Sequence, residues 1–263
     1  MTEINIFDKN FITYSESSAL GKKPELFKYV KNREDFDGVT IYTDHFFHKA
    51  KTTKANFKVA WEVESPLFGP KVKNPEDFDQ VWTYDESRVK ADPDKFKRGN
   101  FGGTRIKDPQ MYPKTKNVCI IDGGNRRSIG HQLRGAIADK LPVDSYGRKI
   151  RPFENEVEVY RDYRFAVVVE NFKGLNYFSE KLTDALACGC VPIYWGNRWS
   201  TSDFFPGLIY FDDFAELKHV ILPQLTPEFY EQHKSQAHID TIKEHFNTSE
   251  DWLVKTYLPE FLK

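Results

Sequence analysis

The sequence predicts an α/β protein in two halves, and three stretches carry that prediction. Tyr163 to Gly196 reads as an apolar strand, a polar loop, a helix and a second apolar strand. That unit of about thirty residues is the usual size of a crossover between parallel strands. Phe57, Val59, Trp61 and Val63 alternate with Lys58, Ala60 and Glu62, the period-two pattern of a half-covered strand. Residues 226–262 open on Thr226-Pro227-Glu228, a helix-start signature, and read as helical to Leu262.

The first half, about residues 1–115, offers Val39-Thr40-Ile41-Tyr42 and Phe57 to Val63 as strands. Residues 91–118 are rich in Lys, Gly, Asp and Pro and read as a loop or interdomain link. The second half, 116–263, opens with the strand Asn117 to Ile121 and the turn Asp122-Gly123-Gly124. A helix follows from about Ser128 to Lys140, then Val143-Asp144-Ser145-Tyr146-Gly147. Phe165 to Val169 is the next strand, a helix begins near Ser179-Glu180-Lys181, and Val191 to Trp195 is a further strand. Asn247-Thr248-Ser249 matches a glycosylation sequon, but reads as a helix cap before Glu250-Asp251-Trp252. There is no internal repeat and no low-complexity tract.

Composition bounds the function. At 263 residues and 30.8 kDa, with 40% hydrophobic and 29% charged residues, a folded protein of two modest domains is expected. Aromatics reach 15%; most are assigned to core packing, and exposed ones could stack on sugars. A formal net charge of -1 gives no global reason to bind nucleic acid or an acidic membrane. Three cysteines do not make a disulfide framework and fit a reducing cytosol. Cys188-Gly189-Cys190 is too tight for a zinc pair and reads as packing on a helix-to-strand turn. The N-terminus MTEINIFDKN lacks a basic region and an apolar core. No apolar run approaches the roughly eighteen residues of a spanning helix, so no transmembrane segment and a cytoplasmic location are expected.

In open parallel sheets, ligands settle beyond the carboxyl ends of strands, against helix N-termini that favour phosphate. Glu170, Asn171, Lys173, Tyr177, Ser179, Glu180 and Lys181 stand at that position. Ser179 suits an N-cap and Glu180 a first helical turn, whereas Lys181 opposes the helix dipole. An anionic ligand would remove that conflict.

The same stretch resembles the donor-binding motif of the α-1,3/4-fucosyltransferases, glycosyltransferase family ten. That motif runs roughly YKF-x-x-x-FEN, several residues, Y-(V/I)-TEK-(L/I), a helix of small and apolar residues, then a VP-(I/V) strand and a glycine. This chain carries Tyr163, Arg164, Phe165, Glu170-Asn171, Tyr177, Glu180-Lys181-Leu182, and Val191-Pro192-Ile193 before Gly196. It departs in Val169 for Phe and Ser179 for Thr. The resemblance covers about residues 117–215 well and the first half thinly; bacterial members with PIYWG after the helix look most similar. It implies the GT-B fold, two Rossmann-like domains, with an acceptor-side first domain and a nucleotide-sugar-binding second domain.

The chemistry it implies is inverting, metal-independent transfer of L-fucose from GDP-fucose to a hydroxyl of a glycan acceptor, with no cofactor required. Transfer of another sugar, such as xylose from UDP-xylose, is the alternative donor reading. A catalytically inactive carbohydrate-binding protein is the alternative of another class. Transfer needs a base for the acceptor proton and positive charge for the departing diphosphate. Lys181 and the helix N-terminus supply the second, with an arginine for which Arg126, Arg127 and Arg134 compete and Arg127 is favoured. Glu180 is assigned hydrogen bonds to ribose or sugar hydroxyls; Asn171, Tyr177 and Ser179 join the donor site. Trp61-Glu62-Val63-Glu64-Ser65-Pro66 resembles the family's Glu-Ser-Pro or Glu-x-Pro segment, so Glu64 is the candidate base, with Glu62 its nearest rival. Asp44-His45 with His48, and Asp212-Asp213, superficially suggest metal sites but read as a strand end and a turn.

Overall fold

Two sheets, both entirely parallel and wound in the same order, organise the chain in this computed structural model. It describes residues 1–9, 22–65, 67–99 and 102–262. The chain divides into two compact units, Met1–Gly103 with His245–Lys263, and Thr104–Glu244.

In the first unit the strands are β1 (Glu3–Phe7), β2 (Lys28–Lys31), β3 (Val39–Thr43), β4 (Phe57–Trp61), β5 (Gln80–Thr83) and β6 (Phe96–Arg98). They lie in the order β2-β1-β3-β4-β5-β6, so the winding reverses between β1 and β3. Asn5 is buried inside β1 and survives there because its amide bonds Arg33 O at 2.8 Å and its carbonyl accepts Arg33 N at 3.0 Å. One face of the sheet buries Ile4, Ile6, Ile41, Val59, Trp61 and Trp82. The other buries Phe7, Tyr42, Ala60 and Val81 beneath Phe46, Phe47 and Ala50 of the short helical turn Asp44–Lys51. α1 (Glu86–Ala91) is capped by Asp85 and precedes β6.

The second unit holds β7 (Lys116–Ile121), α2 (Ile129–Lys140), β8 (Asp144–Tyr146), α3 (Glu156–Tyr160), β9 (Tyr163–Val169), α4 (Glu180–Ala187) and β10 (Val191–Trp195). After them come α5 (Arg198–Thr201), β11 (Ile209–Tyr210), α6 (Phe214–Glu216), α7 (Pro227–His233) and α8 (Gln236–His245). The strand order β11-β10-β9-β7-β8 repeats the winding of the first sheet, reversing between β7 and β9. Polar–apolar alternation is absent from the body of β9, where every residue from Phe165 to Val169 is buried. Parallel strands covered on both faces require such a run. Phe165, Val167 and Val169 pack with Ile137 of α2 and with Leu141, which caps its C-terminus, and Leu182, Ala185 and Leu186 of α4 are also buried.

Several boundaries differ from the expectation. β4 stops at Trp61 rather than Val63, because the Asp44 side chain takes the amides of Val63 and Glu64. The expected link 91–118 contains β6 and the start of β7; Asn100 and Phe101 within it lie outside the described residues. The division falls at Gly103/Thr104 rather than near 115. Residues 245–263 return to the first unit, because Leu253, Val254 and Leu258, from α9 (Ser249–Tyr257) and the residue after it, join the core of Ile4, Val59 and Trp82. Thr248 caps α9 by accepting Asp251 N at 3.1 Å.

Candidate functional site

The winding of the second sheet reverses where the loops after β7 and β9 emerge, the place where open α/β sheets bind ligands. Glu170, the residue after β9, is fully buried and organises the second of these loops. Its carboxylate accepts Ser179 N at 3.0 Å, Ser179 Oγ at 2.7 Å and Tyr194 OH at 3.3 Å. Ser179 Oγ in turn accepts Lys181 N at 3.4 Å and Lys181 Nζ at 3.0 Å. The serine hydroxyl thus caps α4 and has its donor and both lone pairs engaged; its contribution to the site runs through Lys181.

Lys181 Nζ also reaches Glu180 Oε1 at 3.1 Å and stands 4.0 Å from Glu170 Oε2. Those two carboxylates offset the unfavourable meeting of a cation with the positive end of α4. Behind them Arg105 joins Asp184 at 2.8 Å, Glu156 at 2.9 Å and, more loosely, Glu180 at 3.9 Å. Burial pushes Glu180 upward, but Lys181 and Arg105 outweigh it and hold the carboxyl down at about 2. Burial dominates at Asp184, whose carboxyl is raised to about 6 against the pull of Arg105. Glu180 is therefore anionic and ready to accept hydrogen bonds.

The first loop sorts the three arginines. Arg126 is committed to Asp122, at 3.0 and 2.8 Å. Arg134 is buried and donates to Val169 O at 2.5 Å and Asn171 Oδ1 at 3.0 Å. Arg127 is exposed, and its guanidinium has no hydrogen-bond or ion-pair partner among the described residues. His131, absent from the residues expected at the site, sits in the first turn of α2 with Nδ1 at 2.7 Å from Ser128 Oγ. Burial, then the charges of Arg134 and Lys181, lower its pKa to about 4, so the imidazole is neutral at pH 7. Its signal in the sequence is a polar residue three places after a serine cap. Gly130 beside it is obligatory: a Cβ there would meet Glu170 O at 1.9 Å.

Asn171, Ser179, Glu180 and Lys181 are thereby brought together at the carboxyl edge of the second sheet. Tyr177 lies in the same loop but is buried, its amide donating to Ser200 Oγ at 3.2 Å.

In the first unit, Glu62 and Glu64 separate sharply. Glu62 is 1% exposed, and its oxygens accept Val72 N at 2.7 Å, Thr83 Oγ1 at 2.5 Å and Arg88 at 2.8 Å. It is a structural carboxylate. Glu64 is exposed, and its carboxylate has no partner among the described residues. Pro66 of the same segment lies outside them. Among the described residues no three His, Cys, Asp or Glu side chains are grouped to hold a metal ion, and Asp213 serves as the cap of α6.

Comparison with known proteins adds the family. Residues 111–246 match the family model for the C-terminal part of glycosyltransferase family 10 (fucosyltransferase). An α-(1,3)-fucosyltransferase FucT of Helicobacter pylori is 33% identical over 181 residues, 63% of this chain. The match spans 32% of that relative's length. A crystal structure of an α1,3-fucosyltransferase with GDP-fucose aligns over 100% of this chain and 90% of its own, with TM-score 0.57 and 16% identity. One with GDP aligns over 99% and 90%, with TM-score 0.56 and 15% identity. At that identity the likeness shows the fold, which is of the GT-B type. No helix among the described residues is long and apolar enough to cross a membrane.

Proposed function

The chain belongs to glycosyltransferase family 10, and we propose that it is an inverting fucosyltransferase that passes L-fucose from GDP-fucose to a hydroxyl of a glycan acceptor. One observation carries the reading. Lys181 stands at the capped N-terminus of α4 beside an ionised Glu180, at the switch point of a sheet inside the family-matched region. That a structurally similar fucosyltransferase was crystallised with GDP-fucose supports the choice of donor.

The leaving diphosphate gains negative charge as the bond to the sugar breaks. Lys181, the α4 N-terminus and the uncommitted Arg127 meet it. Glu180 accepts hydrogen bonds from ribose or fucose hydroxyls; Asn171 and Tyr177 hold sugar or phosphate, and Ser179 keeps Lys181 in place. Glu64 takes the proton of the acceptor hydroxyl as its oxygen attacks the anomeric carbon from the face opposite GDP, which inverts that centre. Negative charge at the phosphates is neutralised by these cationic groups, so no metal ion enters the scheme.

Donor-induced thermal stabilisation tests the assignment. GDP-fucose at 100 times its dissociation constant stabilises the parent by roughly 2.7 kcal/mol. Lys181→Ala is expected to lose most of that shift and to release GDP more slowly, while remaining folded. A variant that is stabilised and turns over like the parent removes Lys181 from the donor site.

A further inference from the structure

The carboxylate of Asp44 grips the two amides that follow β4. Oδ1 accepts Val63 N at 3.1 Å, and Glu64 N lies 3.4 Å from Oδ1 and 3.2 Å from Oδ2. Asp44 is the first residue after β3, 8% exposed, with a left-handed φ of 23° that a non-glycine residue adopts at a cost. No cation pairs with it among the described residues, and Glu64 and Asp8 add repulsion. Burying such a carboxylate is unfavourable, and among the described residues the amides of Val63 and Glu64 are what offsets it.

The opposite side of Glu64 is equally tight. Phe68 N and Gly69 N both donate to Ser65 O at 2.9 Å, folding the chain back on itself. A Cβ on Gly69 would come within 2.5 Å of Glu64 Cβ and 3.3 Å of Asp44 Oδ1. Glu64 is thus held between a buried acid and a glycine, yet its own carboxylate is unbonded among the described residues. Its backbone alone aims it.

We propose that Asp44 is a positioning residue for the proposed general base, fixing the backbone of Glu64 so that its carboxylate meets the acceptor hydroxyl. The inference rests on the reading of Glu64 as that base. Asparagine at position 44 keeps one acceptor but turns an N–H toward the Glu64 amide, so one of the two grips is lost. Ångström-scale misplacement of a catalytic group costs roughly 10²-fold in rate.

The test is steady-state release of GDP from GDP-fucose, with water as the acceptor. Assayed at pH 8, where Asp44 is ionised and both its oxygens accept, Asp44→Asn with a folded far-UV spectrum is expected to lower kcat by about 10²-fold and leave the donor KM unchanged. Gly69→Ala perturbs the same residue from the other side; it should produce the same kcat-only loss, and carries the test if Asp44→Asn does not fold. If Asp44 acts through Glu64, the Asp44→Asn/Glu64→Gln double variant matches Glu64→Gln alone, because the two effects are not additive. Full activity in Asp44→Asn and Gly69→Ala, or losses that multiply in the double variant, overturns the inference and leaves the base standing. A fully active Glu64→Gln overturns the base assignment and the inference together. A parent that releases no GDP sinks the transferase reading and both with it.

Discussion

At the scale of the residue, the two ends of the proposed chemistry are not equally legible. Ser179, Glu180 and Lys181 are consecutive, and a cap followed by acid and base at a helix start can be read locally. Choosing Glu64 over Glu62 cannot be done that way, because both fall in phase on the alternating run from Phe57. Distant residues distinguish the two: Arg88 and Thr83 consume Glu62, while Asp44 ends the strand before Glu64. Among the arginines the same holds, since only folding reveals that Arg126 and Arg134 are spent. Asp44 also gives a pH signature. Burial raises its carboxyl to about 7, with the Val63 and Glu64 amides opposing and Glu64 and Asp8 assisting the rise. The native chain therefore keeps a proton that the unfolded chain releases near pH 4, so the stability this group contributes is full below pH 4 and is lost as pH rises through about 7. Each unit of that window is worth about 1.4 kcal/mol. Denaturant unfolding at pH 5 and pH 8 should show the parent losing stability relative to Asp44→Asn at the higher pH. An unchanged difference would mean that Asp44 does not carry this proton.

Among the elements, β9 and β10 of the second unit were readable, whereas β1 and β5 of the first were not, although Ile4, Ile6, Val81 and Trp82 are fully buried. β10 matches its expected bounds, and β9 begins only two residues earlier than expected, because apolar runs of that length suit a buried strand and are too short for a helix. β2 and β6 escaped as well: each is a short edge strand rich in lysine or arginine, KYVK and FKR. Such charges protect a sheet edge and erase the apolar pattern that would betray it. The packing of α2 on β9 was invisible for another reason, since Gly130 carries information only by lacking a side chain. Gly130→Ala would push a methyl to 1.9 Å from Glu170 O, next to the residue that organises Ser179 and Lys181. Overpacking of this kind costs about 1–3 kcal/mol, and the variant should also bind donor more weakly as Glu170 shifts. Gly123, with nothing within 4 Å of its Cβ position, is the control; its alanine variant should stay within about 0.5 kcal/mol of the parent. Equal melting behaviour in the two would contradict the close-approach account.

For the whole molecule, the sequence identified two α/β units but not where the chain crosses between them. The return of 245–263 to the first unit depends on Leu253, Val254 and Leu258 finding the β1–β5 core, a contact between opposite ends of the chain that no local pattern encodes. Family membership, by contrast, was readable because its motif lies within the single stretch 163–196. The central claim is that the second unit is built for a guanine nucleotide sugar. A site that satisfies the edge groups of guanine leaves them unpaired against uracil, and such discrimination reaches about 10⁴–10⁵. Isothermal titration of the full chain with GDP-fucose and with UDP-xylose is the most direct measurement. The account predicts saturable binding of GDP-fucose at a single site and no detectable binding of UDP-xylose at the same concentration. Preferential binding of UDP-xylose, or binding of neither, would contradict it.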